Sequence, residues 1–358
     1  MISRRALFCC LLMAGSVIAG TGRELQFALM HGFSAPHRPV MKGIITERTS
    51  FVEAIYTERG KRPWQQHHRY PAAGVCLLYG NLGDPAILGN AAALYPYLQF
   101  YPVDKPKTQV VFGMGMGLSF HSKYWRLIDN YSNLALSLPI TSSIIFRLGL
   151  NRFINKSLTA GLACGLTHFS NGSSRQPNLG LNNLALRVSM TWKFSEFEPE
   201  QSQQFPSDSI NRGGDWFFFA GAFPKQVTPV LGAVYLPVSL SAGYSGRWGS
   251  RWGWSAGGDF FLDPSLRAEV NTDGSSQIKQ LSVFQTGLMV GAEYRFNRLS
   301  LPVQAGVYVY DKIKFHGPVY SRFGMRIKMV GPLWYSVMLK SHFEKADFVE
   351  MGFGLRWR

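Results

Sequence analysis

The sequence predicts an all-β chain, a transmembrane antiparallel β-barrel of roughly 12–16 strands. Apolar and polar residues alternate with a period of two in segment after segment, which places them on opposite faces of strands. Aromatic residues make up 14% and glycines number 37, while charged residues make up only 16%, a composition that suits strands with one face in lipid. After the first twenty residues, no stretch runs long enough without polar interruption to span a bilayer as a helix. The longest candidate, 134–148, is broken by Ser137, Pro139, Thr141, Ser142, Ser143 and Arg147.

In chain order, residues 1–20 read as a secretory signal. Arg4 and Arg5 precede an apolar run from Ala6 to Ala19, and the small residues Ala19-Gly20-Thr21-Gly22 follow. Cys9 and Cys10 fall inside this segment, leaving Cys76 and Cys164, too few for a disulfide framework. Strands are then expected over 25–33, 51–59, 74–82, 91–101, 109–120, 142–151, 158–170 and 183–194. The second half adds 216–223, 233–244, 252–261, 280–297, 299–310, 319–328, 333–343 and 348–356. In 183–194, Leu184, Leu186, Val188, Met190, Trp192 and Phe194 face one way, with Arg187, Ser189, Thr191 and Lys193 opposite. In 280–297, Phe284, Leu288, Val290, Ala292, Tyr294 and Phe296 face outward, while Gln285, Glu293, Arg295 and Asn297 face inward. Trp357 is penultimate and Arg358 last, a small departure from barrels whose final strand ends in an aromatic residue. The polar stretches 196–214 and 271–279 read as loops, so 21–358 is expected to form a single barrel domain.

The formal net charge of +16 is read as attraction to an anionic surface such as the phosphates of lipopolysaccharide. Nucleic acid is not expected as a partner, because no recognition helix or nucleic-acid motif accompanies the charge.

The row Leu158, Ala160, Leu162, Cys164, Leu166, His168 and Ser170 is the outward face of one strand, ending in a base and a hydroxyl. Two strand rises separate the last two by roughly 7 Å between α-carbons, within reach of an imidazole-to-hydroxyl hydrogen bond. A loop rich in turn formers, 171–181, leads to Asn182, which joins the outward row of the returning strand. A nucleophile (Ser170), a base (His168) and an orienting amide (Asn182) therefore converge on a face turned to lipid. The expected chemistry is acyl transfer to water, with backbone amides of the turn after Ser170, or the Asn178 side chain, at the oxyanion.

The run His168-Phe169-Ser170-Asn171-Gly172 followed by Gln176-Pro177-Asn178-Leu179-Gly180-Leu181-Asn182 resembles the lipid A 3-O-deacylase family. That resemblance implies an outer-membrane barrel that hydrolyses an ester-linked acyl chain of lipid A, with lipopolysaccharide and outer-membrane lipids as its partners. Carried over, His168 is the base, Ser170 the nucleophile, and Asn178, Asn171 and Gly172 support the oxyanion. The family's acidic third member falls on Asn182; an amide can orient histidine but stabilises its positive charge less well. The same pattern is similar to outer-membrane phospholipase A, whose triad ends in asparagine. That family continues with an arginine after the glycine and a Ser-Arg-Ser-Trp run, both absent here. The close match covers about 155–194, and the chain is longer than the small deacylase barrels. It resembles instead the longer acyloxyacyl hydrolase-like members, as does the stretch containing Lys340, His342, Glu344 and Asp347, to which the sequence gives no chemical role.

No cofactor and no metal are expected, since His67, His68 and His342 lack ligand spacing with carboxylates. The non-enzymatic alternative is a channel or adhesion barrel, wide enough to enclose water, lined by Arg187, Lys193, Glu293 and Arg295. Oligomeric state is left open.

Overall fold

The computed structural model describes residues 21–36, 38–197, 213–228, 232–249, 251–272, 283–314, 316–342 and 345–358. The expected signal segment 1–20, the loop over 198–212 and the loop over 273–279 lie outside the described residues. Eight long strands fill the first half: β1 (Gly22–Ala35), β2 (Thr49–Arg59), β3 (Ala72–Asn81), β4 (Asn90–Asp104), β5 (Thr108–His121), β6 (Ile140–Phe153), β7 (Leu158–Ser170) and β8 (Leu181–Ser195). The second half holds β9 (Asp215–Ala222), β10 (Lys225–Gln226), β11 (Val234–Tyr235), β12 (Val238–Arg247), β13 (Trp252–Leu262), β14 (Phe284–Phe296), β15 (Leu299–Asp311), β16 (Val319–Lys328), β17 (Leu333–His342) and β18 (Lys345–Trp357). Every expected strand is present. The one expected over 233–244 is interrupted ahead of β12 at Pro237, whose missing N–H cannot serve a ladder. Short helices at Pro63–His67 and Leu266–Thr272 were not expected.

The strands do not close into one wide barrel. β1 pairs antiparallel with both β2 and β8, and this ring closes on itself. β9 pairs with β12 and β18 and closes a second ring. The single domain expected over 21–358 is therefore corrected to two compact units, each built on an eight-stranded barrel. An interior of eight strands is just wide enough for side chains to fill. That removes the wide, water-lined channel. No helix among the described residues is long and apolar enough to cross a membrane.

In the first barrel the outward row is apolar and bare. Leu29, Leu148, Leu162, Leu186 and Val188 are all more than half exposed, a band suited to lipid. The inward row is polar and closed by ion pairs. Glu53 accepts hydrogen bonds from Arg147 Nε (3.1 Å) and Arg187 Nε (2.6 Å), and Arg187 Nη2 continues to Gln26 Oε1 at 2.6 Å. Arg147 Nη1 donates to the Leu166 carbonyl at 2.9 Å, which ties the network to β7. Two guanidiniums on one buried carboxylate offset the desolvation of all three. Arg187 is thus held inside, although not in a channel.

The second barrel follows the same plan. Trp216 lies opposite Trp357 on one neighbouring strand and Tyr244 on the other, and Trp252 lies opposite Tyr294, an aromatic girdle at one end. Inside, Arg322 bonds Asp259 and Ser241 at 2.7 Å each and also Glu350. Glu293 takes Arg356 Nη2 at 2.7 Å and Ser300 Oγ at 2.7 Å, with Arg295 beside it. A third cluster centres on Lys225, whose Nζ reaches Asp347 at 2.5 Å, Asp263 at 2.8 Å and Glu269 at 3.0 Å. Burial alone would lower the Lys225 pKa, but these carboxylates outweigh it and hold the ammonium well above its ordinary range. Cys76 is buried and Cys164 exposed, and both are free thiols.

Candidate active site

β7 and β8 run antiparallel, with His168 directly opposite Asn182. His168 Nδ1 lies 2.7 Å from Asn182 Oδ1. An amide oxygen can only accept, so Nδ1 carries the proton and Nε2 keeps the lone pair that a general base needs. The parity expected from the sequence holds: Thr167 and Phe169 are buried inside, while His168 and Ser170 are half-buried on the outward row. Phe169 is fully buried between them and meets His121 edge-on, with ring centroids 5.3 Å apart. His121 in turn is bonded to Thr141 Oγ1 at 2.8 Å and Ser119 Oγ at 3.0 Å. This inward packing fixes the pleat that presents His168 and Ser170 outward.

The backbone around the pair is held from both sides. Ser142, opposite Ser170 on β6, donates its hydroxyl to the Ser170 carbonyl at 2.6 Å. Across the turn, the Leu179 and Gly180 N–H groups donate to the Leu134 and Ala135 carbonyls at 3.1 and 3.0 Å. That partner segment is itself pinned, since Asn133 Oδ1 accepts from the Leu136 N–H at 3.1 Å and Asn133 Nδ2 donates to the Ile87 carbonyl at 3.0 Å. The sequence did not single out this support, because Asn133 and Leu134 lie in an irregular connection with no periodicity to mark it.

Gly180 brings the turn close to the site. Its φ is +73°, and a Cβ there would sit 3.2 Å from His168 Cε1 and 3.7 Å from Ser170 Cβ. Glycine meets both demands, the left-handed backbone and the tight space. The motif contains Gly180, but only the structure shows what it makes room for.

The supporting residues separate. Asn171 is buried and its amide donates to Ser137 Oγ at 2.9 Å. Asn178 is half-buried, and its N–H is taken by Gln176 Oε1 at 3.1 Å. Gly172 has φ +61° and begins residues 172–178, which group with the second unit. There the Gln226 N–H donates to the Ser173 carbonyl at 3.0 Å, and Gln226 Oε1 accepts from the Gln176 N–H at 2.9 Å.

One expectation about metals changes. His342 and Asp347 are neighbours across the β17–β18 hairpin, with Nδ1 and Oδ2 3.8 Å apart, and His316 joins them from between β15 and β16. Spacing along the chain hid this grouping, because His316 comes from a different hairpin.

Comparisons with known proteins identify the family. Residues 51–191 match the family described as lipid A 3-O-deacylase (PagL), and residues 214–358 match the acyloxyacyl hydrolase C-terminal domain. No curated protein matches the chain. Among solved structures, a mutant of the TodX monoaromatic hydrocarbon channel shares 10% identity, with 97% of this chain and 90% of that one covered and a TM-score of 0.20. The Pseudomonas putida toluene transporter TodX gives 9% identity, 97% and 91% coverage and a TM-score of 0.19. A Rhodopseudomonas blastica porin mutant gives 9%, 94% and 99%, and 0.18. TM-scores this low carry no argument about fold or function. The two family matches together run from strand β2 to the C-terminal residue, and on them the chain belongs to the lipid A 3-O-deacylase family and is an acyl ester hydrolase.

Proposed function

We infer that the protein removes an ester-linked acyl chain from lipid A at the outer membrane, with Ser170 as nucleophile, His168 as general base and Asn182 as the group that orients the imidazole. The observation that carries this reading is the 2.7 Å bond from His168 to Asn182 on the same outward row as Ser170. His168 Nε2 takes the Ser170 hydroxyl proton as Oγ adds to the ester carbonyl carbon. The tetrahedral intermediate expels the sugar oxygen, which recovers that proton from the imidazolium. Water then repeats the sequence on the acyl-enzyme, releasing fatty acid and free Ser170. The Asn178 side chain and N–H groups of the turn after Ser170 are the donors for the oxyanion.

An outward site suits a substrate whose acyl chains already lie against the barrel wall, and residues 1–20 would direct the chain to secretion. The test is mass spectrometry of lipopolysaccharide incubated with detergent-refolded protein. Loss of one acyl chain with release of the matching fatty acid is expected. Unchanged lipid would overturn the reading. The asparagine at position 182 favours a second substrate class, phospholipid esters, and a parallel incubation with phosphatidylethanolamine vesicles separates the two.

A further inference from the structure

The second unit carries a cluster that the esterase chemistry does not use. His316, His342 and Asp347 each bring one donor atom to within 4.8 Å of the others. His342 is 7% exposed. Its Nε2 is bonded to Tyr308 Oη at 2.8 Å, while its Nδ1 is buried with no hydrogen-bond partner. The 3.8 Å from that Nδ1 to Asp347 Oδ2 is too long for a hydrogen bond. It is close to the separation of roughly 3.4 Å between two ligands of a tetrahedral ion with bonds of about 2.0–2.1 Å.

The surroundings are those of a ligand shell. Glu269 Oε2 lies 2.6 Å from His316 Nε2, and a carboxylate there fixes the tautomer that leaves Nδ1 its lone pair. Tyr308 Oη holds His342 by Nε2, and where it accepts from the Nε2–H the Nδ1 lone pair is left for a ligand. The two imidazoles lie nearly parallel, with centroids 4.4 Å apart, and rotation about their side-chain bonds would bring both lone pairs onto one ion.

Charge narrows the choice of ion. The bonded network holds the ammoniums of Lys225 and Lys340 against the carboxylates of Asp263, Glu269 and Asp347. A bound cation would satisfy the buried His342 Nδ1. Lys225 and Lys340 both bond Asp347 and so oppose the cation, which favours an ion drawn to imidazole over one that needs oxygen alone.

We propose that His316, His342 and Asp347 bind a divalent transition-metal ion, Zn²⁺ above the hard cations, with a fourth position left for water. The two nitrogens and one oxygen match zinc's preferred donors, and the ion would join the segment after β15 to the β17–β18 hairpin.

The experiment uses full-length, tag-free protein refolded in detergent and stripped with a chelator. Zn²⁺ titrated by calorimetry should bind at one ion per chain, and Mg²⁺ should not. Co²⁺ in its place should give the intense visible absorption of a four-coordinate ion. His342→Ala and His316→Ala should each abolish the Co²⁺ signal and weaken Zn²⁺ by more than the roughly 10–100-fold that outer partners carry. Heat-modifiable gel mobility reports folding. Should His342→Ala fail to fold, His316→Ala, outside the named strands, decides the matter alone. Absence of stoichiometric Zn²⁺ binding, or binding that survives His316→Ala in folded protein, overturns the proposal.

Discussion

The two barrels have the same number of strands and the same internal plan, yet a histidine near the end of β7 and one at the end of β17 face opposite ways. In the first barrel, His168 lies on the outward row, half-buried, with Asn182 beside it on the wall. In the second, His342 ends β17 facing inward, sealed among Tyr308, Lys340 and Asp347. Both barrels carry buried ion pairs inside, Glu53 with Arg147 and Arg187 in one and Asp259 and Glu350 with Arg322 in the other. The parity of one residue therefore decides the chemistry. An outward histidine meets whatever lies against the wall; an inward one meets only groups the protein itself supplies.

The sharpest test removes the outward chemistry. Ser170→Ala and His168→Ala should each lower the rate of ester hydrolysis by about 10³–10⁴-fold or more while the protein still refolds, measured as fatty acid released from lipopolysaccharide. A folded variant of either kind with near-normal turnover would show that the outward row is not the site.

The next largest effect is on stability and lies inside. Glu53→Gln leaves Arg147 and Arg187 without their buried counter-charge and should cost about 3–5 kcal/mol. Amide exchange in detergent should quicken across residues 49–59 and 140–195 and stay slow across 319–342. Equal acceleration in both units would break the idea that each barrel closes its own charge network.

Asn182→Ala should lower turnover by about 10²-fold, less than loss of Ser170, because nucleophile and base remain while orientation is lost. Asn182→Asp should retain substantial activity, since a carboxylate accepts the same hydrogen bond and favours the imidazolium formed during reaction. An unchanged rate for Asn182→Ala would send the search to another orienting group.

The smallest predicted effect is at Gly180. Alanine there meets a left-handed backbone, costing about 1–2 kcal/mol, and crowds His168 Cε1. A fall in turnover of about tenfold with gel mobility preserved is expected from such a misplacement. Normal turnover would mean that the turn tolerates a Cβ beside the imidazole.

The strands and their faces were legible because period-two alternation is a local property, as Leu162, Leu186 and Val188 against Ala163, Ala185 and Arg187 illustrate. Ring closure was not, since nothing in the sequence of β1 says whether its open edge takes β8 or β18. That choice rests on non-local pairing, and both candidates alternate equally well. His168, Ser170 and Asn182 could be placed together because one hairpin carries all three. The grouping of His316, His342 and Asp347 could not, because these residues come from separate hairpins and Glu269 sits on a short helix that the pattern did not announce. Asn171 adjoins Ser170 in sequence, and its amide bonds Ser137 inside, a contact the motif does not announce.

Phe169, wholly enclosed between two outward residues, has a consequence for how this lineage can vary. Adding or deleting a single residue within β7 would exchange the faces, thrusting the phenyl ring into the surroundings and drawing His168 and Ser170 into the packed interior. A pair of residues would restore the pleat. Length changes in this strand should therefore survive selection only in even steps, whereas loops elsewhere can drift one residue at a time.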